Sequence, residues 1–102
     1  MTISTTTTHV LEAVAQERAR QDGLWGEQNH ESGLWALILG EEFGEACKSS
    51  LQVRFDMTWA DTGMTEEEYR DILVKHLRSE LIQVAAVSVA WVEAIDREKE
   101  AR

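Results

Sequence analysis

Apolar residues recur three and four positions apart along most of the chain, the spacing of a helix with one buried face. Val10, Leu11 and Val14, with Arg18 as a further position, predict a helix that opens near His9, is capped by Thr7 or Thr8 and stops near Gly23. Residues 1–7 are threonine-rich without apolar spacing and read as a tail. Leu24 to Glu31 carries Trp25-Gly26-Glu27-Gln28-Asn29-His30, a polar loop with one large aromatic. Ser32 is a candidate cap for a second helix from about Gly33 to Arg54, whose stripe is Leu34, Trp35, Ile38, Leu39, Glu42, Glu45 and Ala46. Residues 56–64 have the composition of a connection, and Thr65 with Glu68 forms a capping box. From Glu66 to Glu98 neither Gly nor Pro intervenes. Tyr69, Ile72, Leu73, Leu77, Leu81, Val84, Val87, Val92 and Ile95 keep helical spacing there, in one long helix or in two joined near Lys75 to Ser79. Asp96 to Arg102 is almost wholly charged and should fray. The expected fold is all-α, a single domain of three to four helices.

Two features break the apolar stripes. Glu42 and Glu45 lie three apart, Glu41 and Glu45 four apart, so these carboxylates share a helix face and repel by a few tenths of a kcal/mol. Glu80-Leu81-Ile82-Gln83 repeats the device inside the apolar stretch from Leu77 to Ile95. The plain reading is solvated helix residues. Against it, the glutamates continue the apolar stripe, and an unpartnered buried carboxylate is costly. Two such pairs facing each other across packed helices would form an oxygen-rich pocket for a hard divalent cation.

Composition narrows the partners. The 102 residues include no Pro and six Gly, which suits helices, and 19 acidic against 10 basic residues give a net charge of −9. That charge opposes a nucleic-acid surface or an anionic membrane, and a phosphate-bearing ligand would need metal ions to bring it in. Cys47 is the sole cysteine, so an intrachain disulfide is excluded and a reducing compartment is expected. The N-terminal segment has neither a basic nor an apolar leader region, and the apolar runs fall short of the ~20 residues that span a bilayer. A soluble, cytoplasmic protein is the expectation.

Glu41-Glu42-Phe43-Gly44-Glu45 followed by Glu80-Leu81-Ile82-Gln83 resembles the ordered EExxE and ExxD motifs of the MazG-like all-α nucleoside triphosphate pyrophosphohydrolases. Glu17-Arg18-Ala19-Arg20-Gln21 through Trp25-Gly26-Glu27-Gln28-Asn29-His30 resembles the segment leading into the first motif in small, often phage-encoded members. The resemblance covers roughly residues 9–96. It implies Mg²⁺-dependent hydrolysis, with Mn²⁺ as an alternative ion, of a (deoxy)nucleoside triphosphate to monophosphate and pyrophosphate. Glu42, Glu45 and Glu80 would be metal ligands. Gln83 stands where the family usually has Asp. An amide oxygen can still ligate Mg²⁺ but brings no negative charge, so nucleotide binding with little turnover is the alternative reading.

For the chemistry, Glu41 or Glu45 could orient or deprotonate the attacking water. Lys48, Lys75, Arg78 and Arg54 are candidates for phosphate contacts, and Trp25, Asn29 and His30 for base recognition. Trp35 and Trp91 also suit a core, and His9 and His76 lack zinc-ligand spacing with Cys47. Helices this short leave much apolar surface, so a homodimer or homotetramer completing the bundle is expected, and the family resemblance points the same way.

Overall fold

The computed structural model describes residues 2–101, which form three helices and a short 3-10 turn with no strand among them. The first helix, α1, spans Thr5–Trp25. Its cap is Ser4, whose Oγ accepts from the Thr7 N–H at 3.1 Å. Thr7 and Thr8 therefore do not cap it, and residues 5–7 of the expected tail are helical. The Thr8 hydroxyl donates back to the Ser4 carbonyl at 3.1 Å, so the threonines are absorbed into the first turn. Met1 lies outside the described residues. At the other end α1 runs through Gly23 and stops at Gly26, which takes φ +71° and donates its N–H to the Asp22 carbonyl at 2.8 Å. Gly23 carries no such positive φ, which is why the expected stop there fails.

The second helix, α2, spans Ser32–Phe55. Its cap is Glu31 rather than Ser32, because the Glu31 carboxylate accepts from both the Gly33 and Leu34 N–H groups at 2.8 and 2.7 Å. A charged acceptor at this end also meets the helix dipole. After the turn at Thr58–Asp61 the third helix, α3, spans Glu66–Glu100 without a break. Thr65 caps it as expected, accepting from the Glu68 N–H at 3.1 Å. The charged C-terminal segment is helical to Glu100 instead of frayed, with Arg97 anchored to the Gln28 carbonyl and the Asn29 amide oxygen at 3.1 and 3.0 Å. Arg102 lies outside the described residues.

Both α1 and α2 pack on α3 and not on each other. The core is small: Trp35 of α2 against Val87, Ala90 and Ala94 of α3, flanked by Ile38, Leu39 and Trp91. The Trp35 and Trp91 rings stack at 6.4 Å, and His30 meets Trp35 edge-on at 4.9 Å. Ala86, Ala90 and Ala94 stand four apart on α3 and are all buried, so the facing helices can approach closely. Many regularly spaced apolar residues nevertheless stay exposed, among them Leu34, Leu37, Phe43, Leu81, Val92 and Ile95. No helix among the described residues is long and apolar enough to cross a membrane.

Candidate functional site

Because α1 and α2 lie side by side on α3 without touching, a trough remains between them. Its deeper part, of about 210 Å³, is lined by Glu17, Arg20, Gln21 and Trp25 of α1, by Gln28 and His30 of the following loop, by Trp35, Ile38 and Glu42 of α2, and by Gln83, Val87 and Ala90 of α3. A second hollow, of about 350 Å³, lies between α1 and α3 and is lined by Ala13, Gln16, Glu17 and Arg20 of α1 with Lys75, Arg78, Ser79 and Ile82 of α3. Neither Lys75 nor Arg78 is held in an ion pair among the described residues.

Glu42 is half-buried, on the inner face of α2. Burial pushes its carboxyl above the usual carboxylate range, and the charges of Glu80, Glu45, Glu17 and Glu41 add to the shift. Four acidic neighbours therefore act on one site. Glu80 is mostly buried on α3, its side chain 13% exposed, and its Oε1 stands 3.4 Å from His76 Nε2. Gln83 shares the trough with Glu42. Glu41 and Glu45 lie exposed on α2, close enough to bear on Glu42. In kind, this set of oxygen donors and its negative field fit a hard divalent cation. As the side chains stand, no three His, Cys, Asp or Glu among the described residues are grouped closely enough to hold one. Ligation thus requires side-chain rotation, which exposed Glu45 is free to make.

Of the candidate base-binding residues, Trp25 and His30 line the trough. Trp25 is 59% exposed, so its indole face is available. Asn29 points elsewhere: its amide bridges Glu27 Oε2 and Arg97, at the edge of a separate cavity of about 630 Å³ that also touches His30, Trp35 and Trp91. Lys75 and Arg78 line the second hollow, whereas Lys48 is exposed on α2 and lines neither hollow. Trp35 and Trp91 belong to the core stack.

Two residues of the site escaped the sequence reading. Glu17 and Arg20 each line both hollows. A signal was present. Glu17, Arg18 and Gln21 continue the stripe of buried Val14 at spacings of three, four and seven, and all three are half-buried, as at Glu42 on the second helix. No known protein family, curated protein or solved structure matches the chain.

Proposed function

We propose that the protein hydrolyses a nucleoside triphosphate to its monophosphate and pyrophosphate, with Mg²⁺, or Mn²⁺ in its place, as the cofactor. One observation carries the reading: two hollows that share Glu17 and Arg20 are lined, one by Trp25, His30 and the half-buried Glu42 under acidic repulsion, the other by Lys75 and Arg78. A nucleotide presents the matching series of planar base, sugar and polyanionic phosphate chain. Glu42, Glu45 and Glu80 would hold the cation, with the Gln83 amide oxygen beside them. When bound, the ion neutralises phosphate charge and lowers the pKa of a bound water.

The residues of the chain supply the rest. Trp25 offers a stacking face and His30 a hydrogen-bonding edge to the base. Lys75 and Arg78 meet the phosphate oxygens. Glu45, with Glu41 one turn earlier, would accept a proton from water as its oxygen bonds to the α-phosphorus and the bridging bond to the β-phosphate breaks, so pyrophosphate leaves.

A second reading has its own support. Gln83 lines the trough where a further carboxylate would strengthen cation binding, and the carboxylates present are not drawn together. Both features suit a protein that binds nucleotide with little turnover. Pyrophosphate release from a panel of ribo- and deoxynucleoside triphosphates with Mg²⁺, run beside calorimetry on the same ligands, separates the two. Release that is lost in Glu45→Gln supports hydrolysis. Binding without release supports the second reading, and neither binding nor release sinks both.

A further inference from the structure

Of the two arginines near the middle of α1, one is fixed and the other is poised to move. Arg18 has a side chain only 14% exposed and spends its guanidinium on Glu93 at 2.8 Å, Asp22 at 3.0 Å and Gln21 at 3.2 Å, tying α1 to α3. Arg20 is different. Its side chain is 53% exposed, and its only partner among the described residues is Glu17, held by two hydrogen bonds of 2.8 and 2.7 Å from Nε and Nη2. The guanidinium has five N–H groups, so most of its donor capacity is unspent.

Glu17 is the less exposed member at 14%, and it also accepts from Gln21 Nε2 at 3.2 Å. It is one of the carboxylates acting on Glu42. These two residues alone line both hollows, so the pair sits at their junction.

We propose that the Glu17–Arg20 pair is an exchangeable part of the nucleotide site: on binding, Arg20 leaves Glu17 for the phosphate chain and Glu17 joins the carboxylates around Glu42. The assignment rests on the nucleotide reading above. Its physical basis is that Arg20 is half exposed with three donors unspent, and its guanidinium can make to the more highly charged phosphate chain the same parallel charge-assisted hydrogen bonds that it makes to the Glu17 carboxylate. Glu17, freed from its counter-charge, then adds to the field that draws the cation. In the free protein the pair keeps Arg20 at the junction and partly screens the acidic cluster.

Magnesium tripolyphosphate is the probe, because it carries the phosphate chain without a base and cannot be read through nucleotide turnover. Calorimetry on the folded wild type, Arg20→Gln, Arg20→Lys and Glu17→Gln, with circular dichroism to verify folding, gives a distinct pattern. Arg20→Gln should weaken binding about tenfold or more, with Arg20→Lys between it and wild type. Without Mg²⁺, Glu17→Gln should bind tripolyphosphate several-fold more tightly than wild type, and adding Arg20→Gln should abolish that gain, which the loss of one negative charge alone would not produce. Binding by Arg20→Gln within about twofold of wild type, no gain in Glu17→Gln, or no binding by wild type overturns the proposal. Pyrophosphate release from nucleotides, measured in parallel, keeps the two claims apart. Tripolyphosphate binding that depends on Arg20 without any release overturns hydrolysis alone, and release that ignores Arg20 overturns this assignment alone.

Discussion

Glu42 shows how much one side chain's surroundings decide. Its carboxyl is pushed above the usual range first by burial and then by Glu80, Glu45, Glu17 and Glu41. An acid that binds its proton more tightly when folded opposes folding as pH rises through that shifted value. Glu42→Gln should therefore raise the melting temperature by a few degrees at neutral pH, and the gain should vanish once the pH falls below the ordinary carboxylate range. Melting curves across that window check it, and an equal gain at all pH values would show that packing, not charge, is at work. The acidic motif was legible from spacing alone because glutamates continuing an apolar stripe are unusual. Glu17 was marked only by its spacing from Val14, and Arg20 not at all, since its importance comes from the hollows between helices, which spacing within one helix does not reveal.

Among the elements, the link between α2 and α3 is held by two residues at the start of α3. Tyr69 donates its hydroxyl to Asp56 at 2.7 Å, and Arg70 donates to the carbonyls of Val53, at 2.9 Å, and of Asp56. These carbonyls at the end of α2 lack helical partners, so Arg70 replaces the missing turn. Arg70→Ala should destabilise the protein by about 1–3 kcal/mol, read from urea unfolding. A change near zero would mean water satisfies those carbonyls equally well. Hydrogen bonds from Thr58, then Tyr69, hold the Asp56 carboxyl below its usual range. The stabilisation from Asp56 is present above the ordinary carboxylate range and is lost as pH falls through the lowered value, so Asp56→Asn should lower the melting temperature at neutral pH and have little effect in acid. The presence of three helical regions was readable from periodicity and from the absence of Pro. The cap at Thr65 was readable too, but both ends of α1 and the start of α2 were not, because Ser4, Gly26 and Glu31 won the capping positions through local hydrogen bonding and one positive φ, with Thr7, Gly23 and Ser32 as near equivalents in the sequence.

At the scale of the whole molecule, the helices do not close around a full core. The radius of gyration is 16.9 Å, against about 13 Å for a compact domain of this length. Phe43 and Leu37 of α2 stay exposed, as do Leu81 and Val92 of α3. A groove between these helices, lined by Ala36, Leu39, Gly40, Phe43, Val84, Ser88 and Trp91, is almost wholly apolar. Light scattering at micromolar concentration is expected to give a multiple of the 11.6 kDa protomer mass, and Phe43→Glu to shift it toward the single chain. A wild type that stays at the protomer mass would mean these faces tolerate water.

The account stands on Glu42 and Glu80 serving a cation that activates a nucleotide's phosphate chain. Pyrophosphate release from a nucleoside triphosphate panel with Mg²⁺, by wild type and by folded Glu80→Gln, tests it most directly. The account predicts release by wild type that falls by about 100-fold or more in the variant. Absence of release from every nucleotide, or release that Glu80→Gln leaves intact, would contradict it.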